Sequence, residues 1–396
     1  MQLAIIRRRY NPYGGAERFI AQLAGALADQ ALSVSILSEQ WQDSAQLKKN
    51  PQAHPAGGPR VITLSASGLS RNQRAASFAR SVSRALKATP FALVQSHERL
   101  MGADIYRLGD GVHAAWLTRL QDEFCARHRL FGALGLAGLR YRADAYHRAV
   151  LDLEAQMAQD PGLHYVANSE LVAGELTHHY AVSPARITLI PNGVDTQRFA
   201  PLADAPRAAL REHFGLAKQQ TVVLFVGSGF RRKGAFSLVQ ALSLARDVSA
   251  WIVGKDKESA ALERLIKKLG LSQRVALLGP RHDVPALMQA ADVFCLPSLY
   301  DPSPNAVLEA LACGLPVLAT RDIGSMAEIL AAQAGGQVSR QPETIAQALS
   351  PLAEPAVRAP YALAARDLAL RFEQTSVIAQ WMAFYRSQLA RKQALA

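Results

Sequence analysis

The chain has 396 residues, 49% of them hydrophobic and 19% charged, with 44 Lys and Arg against 32 Asp and Glu. That length exceeds one compact core and fits two domains of roughly 200 residues each. No run reaches the roughly 20 apolar residues that a membrane-spanning helix needs, and Cys125, Cys295 and Cys313 form no CxxC or CxxH spacing, which argues against a structural disulfide or zinc site.

The excess charge is uneven: residues 1–150 hold 20 Lys and Arg but only 10 Asp and Glu. Such a basic half implies an anionic partner (membrane headgroups, a phosphorylated acceptor or nucleic acid) or a solvated basic surface. No helix-turn-helix, RNP or zinc signature accompanies the charge, so nucleic acid is not expected.

In chain order, Leu3–Ile6 is expected to be a buried strand, because its apolar run is too short for a signal peptide and is followed by Arg7-Arg8-Arg9. The cytoplasm is then the default compartment. Tyr13-Gly14-Gly15 is expected to turn into a helix from Ala16 to about Asp29. Short apolar runs at Ser33–Leu37, Val61–Leu64 and Ala92–Gln95 suggest strands, and Ser70 to Lys87 has helical spacing. Residues 114–157 are mostly helical in pattern, interrupted near Gly132, Gly135 and Gly138. His164–Asn168 and Ile187–Ile190 are expected as strands around a helix. After a Pro-, Gly- and Asn-rich joint at Pro191–Pro201, strands are expected at Val222–Val226, Ala250–Val253, Val275–Leu278, Val293–Leu296 and Val317–Ala319. Helical patterns alternate with them, one from Ala235 to Arg246 and a last one from Gln374 to about Lys392. This alternation indicates parallel sheets covered on both faces, one in each half.

Two stretches carry chemistry. In Phe225-Val226-Gly227-Ser228-Gly229-Phe230-Arg231-Arg232-Lys233-Gly234 a buried strand runs into glycines, then cations, then a helix. Ligands in open α/β sheets bind beyond the carboxyl ends of strands. Glycines let amides approach a phosphate, and the helix N-terminus favours anions. The GxxxxGK[ST] spacing of a Walker loop is absent, and the bland alternative is a basic surface turn. In Asp301-Pro302-Ser303-Pro304-Asn305-Ala306-Val307-Leu308-Glu309 a Pro-rich loop precedes a helix expected to begin near Pro304. Asp301 and Glu309 can accept hydrogen bonds from sugar and ribose hydroxyls. No DxD-type metal motif stands out at a strand end.

These residues, with Ile190-Pro191-Asn192-Gly193-Val194-Asp195 through Phe199-Ala200-Pro201, resemble the retaining glycosyltransferases of family 4, most nearly the bacterial lipopolysaccharide-core enzymes. The resemblance spans nearly the whole chain, including Tyr13 to Arg18 and Trp251 to Asp256. It implies the GT-B architecture, an α/β fold of two facing Rossmann-like doubly wound domains. The expected division is an acceptor-side domain over 1–195, a donor-binding domain over 196–373, and a C-terminal helix over 374–396 packing back on the first domain. By the same resemblance, Arg232 and Lys233 bind the donor diphosphate, Asp301 the donor sugar and Glu309 the ribose. Gly279-Pro280-Arg281 would hold the base, and Gly14 and Gly15 would face the donor from the other domain. His97 and Asp110 would line the catalytic cleft. Position 301 is Asp where the family pattern has Glu, one methylene longer, which bears on the sugar's identity.

The implied reaction moves a hexose-type sugar from a nucleotide-sugar donor, a UDP-sugar, to a lipopolysaccharide-core or other cell-surface glycan, with no cofactor and no metal. A sugar-nucleotide epimerase of similar fold and a non-catalytic nucleotide-sugar-binding protein are the alternatives. A dinucleotide oxidoreductase fits poorly, because Gly227-Ser228-Gly229 lacks the third glycine at the required spacing. Over 116–142, Trp116, Leu117, Leu120 and Phe124 interleave with Arg119, Arg127, Arg129 and Arg140. That pattern suits either an anionic membrane surface, giving peripheral attachment at the inner face of the cytoplasmic membrane, or core-facing helices with a solvated basic side.

Overall fold

The computed structural model describes residues 2–9, 20, 23, 27, 33–40, 59–127 and 144–395. The chain forms two compact units, Met1–Ile190 with Ile378–Ala396, and Pro191–Val377.

In the first unit the strands are β1 Gln2–Ile6, β2 Ser33–Ser38, β3 Arg60–Thr63, β4 Leu93–Ser96, β5 Ile105–Leu108, β6 His164–Ala167 and β7 Ile187–Leu189. They form a parallel sheet in the order β3-β2-β1-β4-β5-β6-β7. The middle strands β4, β5 and β6 are buried along their whole length, as a sheet covered on both faces requires. The helices between them are α1 Arg71–Ala88, α2 His113–Arg127, α3 Ala145–Gln159 and α4 Glu170–Tyr180. Ser70 starts α1 with a capping box. Its hydroxyl accepts from the Gln73 amide, and Gln73 Oε1 accepts from the Ser70 amide, each at 3.1 Å. Two amides that the helix itself cannot satisfy are thereby paired.

The second unit repeats the scheme with β8 Thr221–Val226, β9 Val248–Val253, β10 Val275–Gly279, β11 Val293–Leu296, β12 Val317–Ala319 and β13 Gly335–Gln337. The order β10-β9-β8-β11-β12-β13 is again wholly parallel. Val222, Val223, Leu224 and Phe225 of β8 are all fully buried, each contributing about 1.5–3 kcal/mol of hydrophobic stabilisation. The covering helices are α5 Asp204–His213, α6 Phe230–Lys233, α7 Ala235–Leu242, α8 Ser259–Lys268, α9 Val284–Ala290, α10 Asn305–Ala312, α11 Met326–Ala331, α12 Pro342–Leu349 and α13 Pro355–Leu370.

A last helix, α14 Gln374–Leu395, has its first turn in the second unit and the remainder in the first. In the first unit it inserts Trp381 and Tyr385, both fully buried, and Tyr385 donates its hydroxyl to Gln95 Oε1 on β4 at 2.7 Å. Lys392 pairs with Asp104 at 2.8 Å.

Several sequence expectations shift. β5 and β13 were not expected. The helix expected to run to Arg246 ends at Leu242, and Pro304 precedes α10 as its cap rather than standing in its first turn. The expected helix from Ala16 to Asp29, the Gly14-Gly15 turn and residues 128–142 of the amphipathic stretch lie largely or wholly outside the described residues.

Candidate functional site

In each sheet the strand order reverses beside the first strand, between β1 and β4 in one unit and between β8 and β11 in the other. A crevice opens at such a switch point, beyond the carboxyl ends of the strands. In the second unit the loops leaving β8 and β11 meet there.

The loop after β8 becomes the one-turn helix α6, which carries Arg232 and Lys233. Gly234 ends α6 in the left-handed region, at φ +86°. A Cβ at Gly234 would stand 2.1 Å from the carbonyl oxygen of Pro297, so only glycine lets this turn press against the loop after β11. The Leu299 amide donates to the Arg232 carbonyl at 2.7 Å, joining the two loops. Arg340 reaches across from beyond β13. Its Nη1 donates to the Arg232 carbonyl and its Nη2 to the Arg231 carbonyl, each at 2.8 Å, placing a cation at the carboxyl end of α6.

The side chains converge on Asp301. Lys233 Nζ lies 3.1 Å and Arg232 Nη1 3.7 Å from Asp301 Oδ2, and Arg232 Nη1 also donates to the Tyr300 carbonyl at 2.8 Å. Asp301 is itself buried, with its amide bonded to the Asp322 carbonyl and its carbonyl to the Gly324 amide. Arg232 remains 39% exposed, which leaves its guanidinium available to a ligand.

Glu309 sits in the second turn of α10 and is buried. The Asn192 side chain fixes the start of that helix, donating to the Ser303 carbonyl at 2.9 Å and to Asn305 Oδ1 at 2.7 Å. The Pro-Asn-Gly motif therefore braces the Pro-rich loop. Arg281, after β10, is held by Asp283 through Nε at 2.7 Å, and that bond raises its pKa. It stands on a different loop, engaged as an ion pair.

One expectation is corrected. The glycine-rich loop after β8 was expected to bring backbone amides to a phosphate, but its amides at Gly229 and Phe230 are already engaged. Asp256 Oδ2 accepts from both, at 2.6 and 3.2 Å. The α6 amino end already carries an anion, so the cations of its last turn are the groups left for a ligand.

In the first unit His97 follows β4. It is buried, bonded through Nε2 to Gln95 Nε2 at 3.0 Å, and burial followed by the Arg107 and Arg7 charges pushes its pKa well below 6.5. His97 is therefore neutral near pH 7. Asp110, beyond β5, is exposed. Gly14 and Gly15 lie outside the described residues. Among the described residues no three His, Cys, Asp or Glu side chains converge as a metal set, and no helix is long and apolar enough to cross a membrane.

Sequence reasoning missed Asp256, Arg340 and the bracing role of Asn192. Asp256 had a local signal, an acid just past the end of β9. Arg340 had none, being 108 residues from the carbonyl it meets.

Residues 206–354 match the family model "Glycosyl transferases group 1" and residues 13–198 match "Glycosyltransferase Family 4". The lipopolysaccharide glucosyltransferase WaaG of Escherichia coli (strain K12) is 27% identical over 331 residues, 82% of this chain and 81% of that protein. A D-inositol 3-phosphate glycosyltransferase of Corynebacterium urealyticum is 26% identical over 98% of this chain and 96% of its own length. Among solved structures, WaaG superposes with a TM-score of 0.79 at 24% identity, over 96% of this chain and 98% of that one. Anabaena Alr3699/HepE, solved with UDP and glucose, gives 0.73 at 20% identity, over 98% of this chain and all of its own.

Proposed function

The chain belongs to the glycosyltransferases of GT-B architecture, related to the lipopolysaccharide-core enzymes, and from that premise we propose that it is a retaining transferase. It moves a hexose-type sugar from a UDP-sugar to a lipopolysaccharide-core or other cell-surface glycan. The observation that carries this reading is the meeting of Arg232, Lys233 and Asp301 at the switch point of the second sheet.

Breaking the bond between sugar and diphosphate leaves negative charge on the leaving oxygen. Cations already fixed in place stabilise that charge with little reorganisation. Lys233, three-quarters or more buried, supplies a point charge, and the half-exposed Arg232 supplies a planar fork matched to phosphate oxygens. Asp301 holds both cations in the free enzyme and then turns its carboxylate to a sugar hydroxyl. Glu309 receives the ribose and the backbone at Gly279-Pro280-Arg281 the base. His97, neutral at working pH, and Asp110 serve the acceptor side. Diphosphate charge is carried by side chains, so no metal is required. The basic first unit holds the enzyme at an anionic membrane surface on its cytoplasmic side. The lipopolysaccharide glucosyltransferase activity of WaaG and the UDP and glucose bound by HepE support the choice of donor and acceptor.

The test is thermal stabilisation by UDP, GDP, ADP, CMP and NAD, followed by release of the nucleoside diphosphate from matching sugar donors. A ligand at a hundred times its dissociation constant stabilises by about 2.7 kcal/mol. UDP is expected to stabilise the protein, and Lys233→Ala is expected to abolish the shift. Stabilisation by NAD without any by a nucleoside diphosphate would sink the reading.

A further inference from the structure

At the opposite end of the second sheet, where β8, β11 and β12 begin, lies a cavity of about 500 Å³. That is within the range of small-molecule sites, roughly 300–1,000 Å³. Its charged floor centres on Asp292, the residue before β11. Asp292 Oδ1 takes Arg207 Nη2 at 2.8 Å and Arg358 Nη2 at 3.1 Å, while Oδ2 takes Arg211 Nη1 at 3.0 Å and the Val222 amide at 2.9 Å. One carboxylate is thus saturated by three guanidiniums. Arg366, also in the lining, donates to the carbonyls of Phe199, Ala312 and Thr196, and Asp204 supplies the cavity's second carboxylate. The positive excess persists after both acids are counted. Burial, with Arg207 and Arg211 close by, lowers the pKa of Arg358.

Arg207 is the accessible member, its side chain 34% exposed. Its Nε and Nη2 are engaged with Gln289, Ala291 and Asp292, and its Nη1 makes no hydrogen bond among the described residues. The same holds for Arg358 Nε, whose other nitrogens are taken by Thr221, Leu352, Ala353 and Asp292. Two guanidiniums, each with one nitrogen to spare, offer charged donors to an oxyanion such as phosphate. The lining also has an apolar part, with Pro201 and, beside Arg358 on the same helix, Ala359, Ala362 and Leu363, of which Leu363 is 72% exposed.

We infer that this cavity binds a small organic phosphate, its phosphate against Arg207 and Arg358 and its organic part along Leu363. The site is separate from the donor loops, which lie beyond the other ends of the strands, and it does not rest on the transferase reading.

The test is calorimetric titration of the full chain with inorganic phosphate and with phenyl phosphate, ionic strength being held constant with chloride. Phenyl phosphate is expected to saturate one site and to bind at least about fivefold tighter than inorganic phosphate, since its ring buries apolar surface. Arg207→Gln is expected to weaken binding about tenfold, as loss of a charged hydrogen bond does. Leu363→Asp, a change at an exposed position that leaves folding intact, is expected to weaken it as well and carries the test if Arg207→Gln misfolds. Lys233→Ala is expected to leave it unchanged. Absence of saturation, equal affinity for the two ligands, or loss of binding in Lys233→Ala with Leu363→Asp unaffected would each overturn the inference. The last outcome would assign the phosphate to the donor loops, while UDP binding in the same variants reports on the transferase reading separately.

Discussion

Lys233 Nζ stands 3.1 Å from Asp301 Oδ2, a contact that ties the loop after β8 to the loop after β11. Under the proposed function the carboxylate occupies, in the free enzyme, the cation that the donor diphosphate would take, and donor binding exchanges one anion for another. Lys233→Ala is expected to lower kcat/KM by about 10²–10³-fold, the loss typical of one preorganised charge-stabilising group. Asp301→Asn, which keeps the shape but removes the charge, is expected to retain UDP binding while losing sugar transfer. Steady-state kinetics with UDP titration separates the two; equal loss of UDP affinity in Asp301→Asn would remove the sugar-contact role.

The proposed neutralisation of the diphosphate by side chains implies indifference to chelators. Activity in excess EDTA is expected to match that in added Mg²⁺ or Mn²⁺ within about twofold, against the several kcal/mol that a Lewis-acid metal contributes where one is used. A reproducible collapse on chelation, restored by the ion, would refute side-chain neutralisation.

Gly234→Ala is expected to damage both fold and site. Its methyl would stand 2.1 Å from the Pro297 carbonyl oxygen at a φ of +86°. Left-handed strain alone costs about 1–3 kcal/mol. Urea unfolding should show at least that loss, and UDP stabilisation should vanish with it, because the displaced turn carries Lys233.

Much of this was readable from the chain. The continuous apolar run of β8 and the glycines after it fix a strand and a turn by local chemistry, and the paired cations that follow stand on the short helix α6. β5 was not readable, because Arg107 interrupts Ile-Tyr-Arg-Leu, although the arginine is buried. β13, Gly-Gly-Gln, has no apolar residue, and pairing with β12 alone makes it a strand. Asp256 was visible as an acid near a strand end, but which amides it would meet depends on β8 and β9 ending level, a property of the sheet rather than of either segment.

Asp256→Ala should reveal the structural role of that carboxylate. Removing the acceptor for the Gly229 and Phe230 amides is expected to cost about 1–3 kcal/mol in urea unfolding. Asp256→Asn, still an acceptor, should recover part of it. A neutral result in both would show that water replaces the carboxylate without loss.

Acid should destabilise the protein from pH 6.5 downward. Burial is the leading cause that lowers His97 well below 6.5 and His113 and His164 to about 4. Between 6.5 and 4 the unfolded chain binds protons at these sites that the folded chain does not, so stability present above 6.5 is lost as pH falls. Urea midpoints at pH 7.5, 6 and 5 should decline in that order, and His113→Asn should flatten the trend. A midpoint constant across that range would contradict the burial of these imidazoles.

The return of α14 to the first unit sets an order of events during synthesis. Trp381 and Tyr385 belong to the unit that begins at the amino end, yet the ribosome makes them after the whole of Pro191–Val377. At about 5–20 residues per second, β4 waits roughly 15–60 s for the tyrosine that hydrogen-bonds Gln95. The later unit, being one uninterrupted segment, can close its core first. The earlier one must hold its sheet with an unfilled groove until the last helix leaves the tunnel, and over that interval the nascent chain has most need of a chaperone.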